Sequence, residues 1–223
     1  MAAIEMNEAE LVVLAIDLEV RLGNGALPLH EMQIIALYHP EEETRMLLGK
    51  AIVRRILKSD APEERKAAML SAISKEGKCH IEAREDAGKA LCEIIRKACA
   101  WEKSYSIAMD SNYPPETRNM TASDFLDNSE GHEGIAAVLG CTGVSEKLRE
   151  EKGFMIVREA MERGDRALIE KLGAMGGLPR MLEVCVRSIV GPHARKPPFA
   201  KERKSEPPQR NLLSVLSTVP GKK

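Results

Sequence analysis

Residues 81–105 read IEAREDAGKALCEIIRKACAWEKSY. Within them Ala87, Leu91, Ile94, Ala98, Trp101 and Tyr105 recur at intervals of three and four. That spacing aligns them on one side of a helix, and it predicts a single helix over 81–105. The same period extends in both directions. Upstream it predicts helices over 8–22, 29–38, 41–58 and from Asp60-Ala61-Pro62-Glu63 to about Lys75. The Gly23-Asn24-Gly25 triplet and Pro40 separate the first three. Glu41, Glu42 and Glu43 at the start of the third, with Arg54, Arg55 and Lys58 at its end, complement the helix dipole. Downstream the pattern predicts helices at about 132–139, 145–163, 165–172 and 178–190, punctuated by glycine.

The chain is therefore expected to be all-α, an irregular multi-helix bundle of about nine helices. Its 223 residues, 43% of them hydrophobic, suffice for one or two real cores and rule out a wholly disordered chain. Aromatic residues make up only 3%, too few for an ordinary β-sandwich or barrel. Residues 8–22 are apolar almost all round at Leu11–Ile16, which predicts burial in the bundle centre. Leu14, Leu18, Leu48, Ile52, Ile56, Leu91, Ile94, Trp101, Phe154, Val157 and Leu182 are the expected core.

Residues 106–131 change character. Asp110, Ser111, Asn112, Pro114, Pro115, Asn119, Asp127, Asn128, Ser129 and Gly131 make them polar and turn-rich. They read as a linker with one short helix at 121–127, between an N-terminal lobe (1–105) and a C-terminal lobe (132–190). Residues 191–223 hold half of the chain's twelve prolines, mixed with Lys and Arg. Such a composition buries too little apolar surface to offset backbone ordering, so a disordered basic tail is expected.

Ala167-Leu168-Ile169-Glu170-Lys171-Leu172-Gly173-Ala174 followed by Leu178-Pro179-Arg180-Met181-Leu182-Glu183 resembles the helix–Gly–helix junction of an armadillo repeat. The resemblance covers about 20 residues and implies a stacked helical array. Gly176-Gly177 departs from the family's spacing, and no second copy at a 40-residue period is visible in the sequence.

Known chemistries find few residues to carry them. The apolar run Leu11–Ile16 is six residues long, against roughly 18–20 for a membrane span, so no insertion is expected. The acidic first twenty residues do not read as a signal peptide. Five widely spaced cysteines (Cys79, Cys92, Cys99, Cys141, Cys185) predict reduced thiols and an intracellular location, in cytoplasm or nucleus. Cys79-His80, Cys92 and Cys99 lack the close second pair of a zinc site, and His30, His39, His132 and His193 follow no metal template. No metal, cofactor or catalytic residue is expected. Gly173-Ala174-Met175-Gly176-Gly177 lacks the strand and the Lys-Ser or Lys-Thr of a phosphate cradle.

Charge is more informative. Residues 1–50 carry nine acidic and three basic side chains, whereas 191–223 carry eight basic and two acidic. This asymmetry suggests partners, including further copies of the chain. Arg54, Arg55, Lys58, Arg65 and Lys66, with Arg195, Lys196, Lys201, Arg203 and Lys204 in the tail, form the candidate nucleic-acid surface. Arg158, Arg163, Arg166, Lys171, Arg180 and Arg187 add basic character to the C-terminal helices. Leu212, Leu213, Val215 and Leu216 are the apolar cluster of the tail and a candidate docking segment, for a partner or for the chain's own body. The leading expectation is a non-catalytic helical scaffold or adaptor that binds proteins and self-associates. Such a chain fits an internal viral structural or regulatory protein, or a cellular adaptor. The alternatives are an RNA-binding protein of the nucleocapsid kind and an unrecognised enzyme with a site between the lobes.

Overall fold

A computed structural model describes residues 7–22 and 27–191. Among them are eleven α-helices and no strand. They are α1 (Glu8–Leu22), α2 (Leu29–Tyr38), α3 (Glu42–Lys58), α4 (Glu63–Lys75), α5 (Ile81–Lys97) and α6 (Trp101–Met109). They continue with α7 (Pro115–Asn128), α8 (His132–Gly140), α9 (Glu146–Arg163), α10 (Arg166–Ala174) and α11 (Arg180–Val190). The all-helical expectation holds, with two helices more than expected. The tail residues 192–223 lie outside the described residues.

Local chemistry sets most helix starts. Pro28, Pro62, Pro114 and Pro179 each stand immediately before a helix, with φ between −52° and −56°. There the missing proline N–H costs nothing, because the first helical donors have no intrahelical acceptor. Pro62 holds the N-cap place of α4. Ser145 and Asp165 cap α9 and α10 by accepting from the Leu148 and Leu168 amides.

The chain forms two compact units that divide at Ile94 and Ile95. In the first, α1 packs on α2, α2 on α3 and α3 on α4. Ile35, Ile52, Ile56, Leu70 and Ile73 are buried there. Gly49 lets α3 approach α5 closely, since a Cβ at 49 would lie 2.5 Å from that of Ala83. Lys50 pairs with Glu82 across the same two helices.

The second unit is a regular stack. Helices α6 and α7, α8 and α9, and α10 and α11 form three successive pairs. The first helices are neighbours in a row (α6, α8, α10), and so are the second helices (α7, α9, α11). The core runs between the rows through Phe125, Val138, Leu139, Val157, Leu172, Leu182 and Val186. Lys152 to Asp127 (2.6 Å) joins α9 to α7, and Lys171 to Glu133 (2.6 Å) joins α10 to α8. The expected irregular bundle is here an ordered array.

One turn recurs from pair to pair, and it appears in the first unit between α4 and α5 as well. The amides of Glu76, Asp110, Cys141 and Met175 each donate to the carbonyl three residues back, on Ile73, Ile107, Val138 and Leu172, at 3.1 Å in every case. Three residues on, Cys79, Tyr113, Val144 and Leu178 are all buried. In the first three copies an arginine then reaches back ten residues to a carbonyl in the last turn of the preceding helix. Arg84 Nε donates to Ser74 O (2.9 Å), Arg118 Nε to Ala108 O (3.0 Å) and Arg149 Nη1 to Leu139 O (3.1 Å). Each guanidinium thus meets the negative end of a helix dipole. In the fourth copy Glu183 holds that place and pairs with Arg187.

Three expectations are corrected. The helix expected over 81–105 ends at Lys97 and restarts at Trp101. Cys99 turns left-handed there (φ 50°), while the Cys99 and Ala100 amides close on the Arg96 and Ile95 carbonyls. Residues 106–131, expected as a linker, hold the end of α6 and all of α7. Its Thr117, Thr121, Ala122, Phe125 and Leu126 are buried, and Thr121 Oγ1 satisfies itself on the Thr117 and Arg118 carbonyls. Finally, α1 is not central: only Ala15 and Leu18 are buried, while Val13, Ile16 and Val20 face outward. Of the expected core residues, Leu18, Ile52, Ile56, Leu91, Val157 and Leu182 are buried, whereas Leu14, Leu48, Ile94 and Trp101 are half-buried and Phe154 is exposed.

Candidate interaction surfaces

The basic residues singled out in sequence separate into tethered and free groups. Arg55 is anchored, with Nη1 donating to the Leu27 carbonyl (2.5 Å) and to Met32 Sδ (3.3 Å). Lys66 pairs with Glu63 at 3.1 Å, and Arg65 is half-buried. Arg54 and Lys58, one turn apart on α3, are exposed. On the C-terminal helices the positive charge is mostly neutralised within each helix. Arg158 pairs with Glu162 (3.9 Å), Arg163 with Glu159 (3.5 Å), Arg166 with Glu170 (2.8 Å) and Arg187 with Glu183. Arg180 is exposed at the start of α11. Arg195, Lys196, Lys201, Arg203, Lys204 and the cluster Leu212, Leu213, Val215 and Leu216 lie outside the described residues.

The cysteines and histidines do not converge. Cys79 and Cys92 are buried, Cys99 is exposed, and Cys141 and Cys185 are half-buried. Among the described residues no three His, Cys, Asp or Glu side chains group as metal ligands. Burial, with the Glu76 charge nearby, pushes the Cys79 thiol up to about 11. His39 is buried between helices. Its Nε2 lies 2.7 Å from Glu19, and its Nδ1 accepts the Glu41 amide at the start of α3. His80 repeats the arrangement at the start of α5, with Nε2 toward Glu42 (3.2 Å) and Nδ1 accepting from the Glu82 amide (3.3 Å). Both histidines act as helix-starting posts.

A cavity of about 10 Å³ lies inside the first unit beside Gln33, Gly49, Ile52 and Cys79. A shallow depression of about 380 Å³ lies between α7 and α9, lined by Asn119, Met120, Ser123, Ser145, Lys147, Leu148 and Glu151.

Apolar surface is more conspicuous. On α9, Phe154, Met155 and Met161 are exposed, and on its neighbour α11, Met181 (63%) and Val184 (60%) stand out in solvent. On α1, Val13 (61%) and Val20 (66%) flank Ile16 (42%). Single exposed apolar residues need no explanation, whereas stripes at helical spacing mark interaction faces. The sequence reading missed these stripes because hydrophobic periodicity marks an apolar face without saying whether a neighbour covers it.

No protein-family model, no curated protein and no solved structure matches the chain. Among the described residues no helix is long and apolar enough to cross a membrane.

Proposed function

We propose that the chain is a non-catalytic helical scaffold whose outward helix faces bind other macromolecules. The observation that carries this reading is the apolar face of α9 and α11. Phe154 and Met161, seven residues apart on α9, and Met181 and Val184 on α11 are exposed there, while Arg158, Arg163 and Arg187 of the same helices pair with acids of their own helix. A stack of helix pairs suits the role, because it sets successive helix faces side by side as one extended surface. Phe, Met and Arg are also the residues that anchor protein interfaces. The test is capture of partners by the purified full chain and by a Phe154→Ser, Met155→Ser, Met161→Ser variant whose helical circular dichroism matches. The variant is expected to lose a partner that the parent retains. Equal recovery by both, or by neither, overturns the assignment of that face.

The RNA-binding reading draws its support from Arg54 and Lys58, exposed one turn apart, together with the basic composition of 195–204. It calls for salt-dependent binding of mixed-sequence RNA. Arg54→Ala and Lys58→Ala should each lower the logarithmic salt slope by about 1. Binding that is flat with salt counts against it.

A further inference from the structure

Two of the exposed stripes carry matched charge. On α1, Val13, Ile16 and Val20 face outward, and Glu10 and Asp17, also exposed, run along one edge seven residues apart. On α11, Met181 and Val184 face outward, and Arg180 and Arg187, again seven apart, run along one edge; Arg187 stands there in an exposed pair with Glu183 of its own helix, a weak contact that an incoming acid can replace. Seven residues are two helical turns, about 10.5 Å along the axis, so both pairs have the same pitch. One helix offers two acids beside an apolar stripe, and the other offers two arginines beside an apolar stripe. Each lies at the edge of its own unit: α1 packs on α2, and α11 on α9 and α10. Arrays of stacked helices need a polar outer face on their terminal helices to remain soluble and separate. On both α1 and α11 the outer face is polar along one edge only, with the apolar stripe left beside it.

We propose that the partner of the α11 face is the α1 face of a second copy of this chain. The contact is heterologous: the apolar stripes meet, and Glu10 and Asp17 pair with Arg180 and Arg187. It rests on the scaffold reading and names one occupant for that scaffold. Because donor and acceptor faces differ, association continues from copy to copy until a ring closes or a filament runs on. The charged edges choose the partner and steer its approach, and the stripes supply the buried area.

Sedimentation velocity of the full chain tests this. The parent chain at tens of micromolar is expected to sediment faster as its concentration rises. The effect should weaken between about 0.05 and 0.5 M salt, where screening shortens from roughly 14 Å to 4 Å. Two charge-reversed chains sharpen the test, one with Glu10→Arg and Asp17→Arg, the other with Arg180→Glu and Arg187→Glu. Each alone should stay monomeric, since both of its faces then carry one sign. Mixed in equal amounts they should associate again, which mere loss of folding cannot produce. A parent chain that is monomeric at both salts overturns the proposal, as does a mixture that stays monomeric. Capture of a different protein through α9 would then still leave the scaffold reading standing, and loss of both results would remove it too. A third variant, Leu212→Ser with Leu216→Ser, addresses the chain's own tail as occupant. If that variant, still folded, no longer associates, the tail and not α1 is what docks on α11, and the α1 assignment falls.

Discussion

Cys99 is the residue at which one helix becomes two. An L-residue pays about 1–2 kcal/mol to turn left-handed, and Cys99 does so at φ 50° in a position that glycine ordinarily fills. Cys99→Gly is therefore expected to stabilise the chain by about 1 kcal/mol, read as a higher midpoint in urea. Nothing in IRKACAWEK announces this stop: no Gly, Pro or Asn is present, and the apolar interval carries on through Ala98 and Trp101. The other thiols report burial. At pH 8 a thiol reagent should label Cys99 in the folded chain and leave Cys79 untouched until denaturant is added. Cys79 also links stability to alkaline pH. Its folded value is raised from 9.0 to about 11, so between those values the unfolded chain releases a proton that the folded chain keeps. Stability should accordingly fall as the pH rises through that interval, and Cys79→Ala should flatten the fall.

At the scale of elements the arginine clamp is the recurring device. Arg149 is 6% exposed, and its guanidinium serves three carbonyls: Leu139 at the end of α8, Val144 in the following turn, and Gly177 (2.7 Å) in the next pair's turn. It therefore fastens one pair to the next. Gly177 is shaped for that junction, with φ 83°, and a Cβ there would meet the Gly140 carbonyl at 2.6 Å. Arg149→Met should cost about 2–3 kcal/mol in chemical denaturation, because buried carbonyls lose charged donors. Arg149→Lys should recover only part, since an ammonium lacks the planar fork that spans separated acceptors. Most helix bounds were legible from proline, capping residues and apolar spacing; α2 and α9 fall within a residue of expectation. Helix α7 was not, because its inward face uses Thr117 and Thr121, whose hydroxyls resemble loop chemistry until the backbone accepts them. The repeat also stayed hidden. Its turn position is filled by Cys, Tyr, Val and Leu in succession, alike in being buried and unlike in name, and its step is 31–34 residues rather than 40.

For the molecule as a whole, the sequence conveyed the helical class and the charge gradient but carried no mark of where the compact units part. Polarity suggested 106–131, whereas the units part inside α5, at Ile94 and Ile95. A boundary within a continuous helix leaves no compositional mark, because the helical period continues across it. The same blindness applied to the two ends: α1 reads as a buried helix, although Val13, Ile16 and Val20 point outward. The second unit's order, in which each pair of helices neighbours the next, has a mechanical consequence. Gripped at both ends and drawn apart in an optical trap, it should lengthen in instalments. Each pair of about 34 residues should release roughly 100 Å of chain before its neighbour yields. A single abrupt rupture of 95–191 would show the pairs breaking together. Yielding pair by pair makes the stack a spring with discrete settings, able to absorb a pull by surrendering one fold of its length at a time.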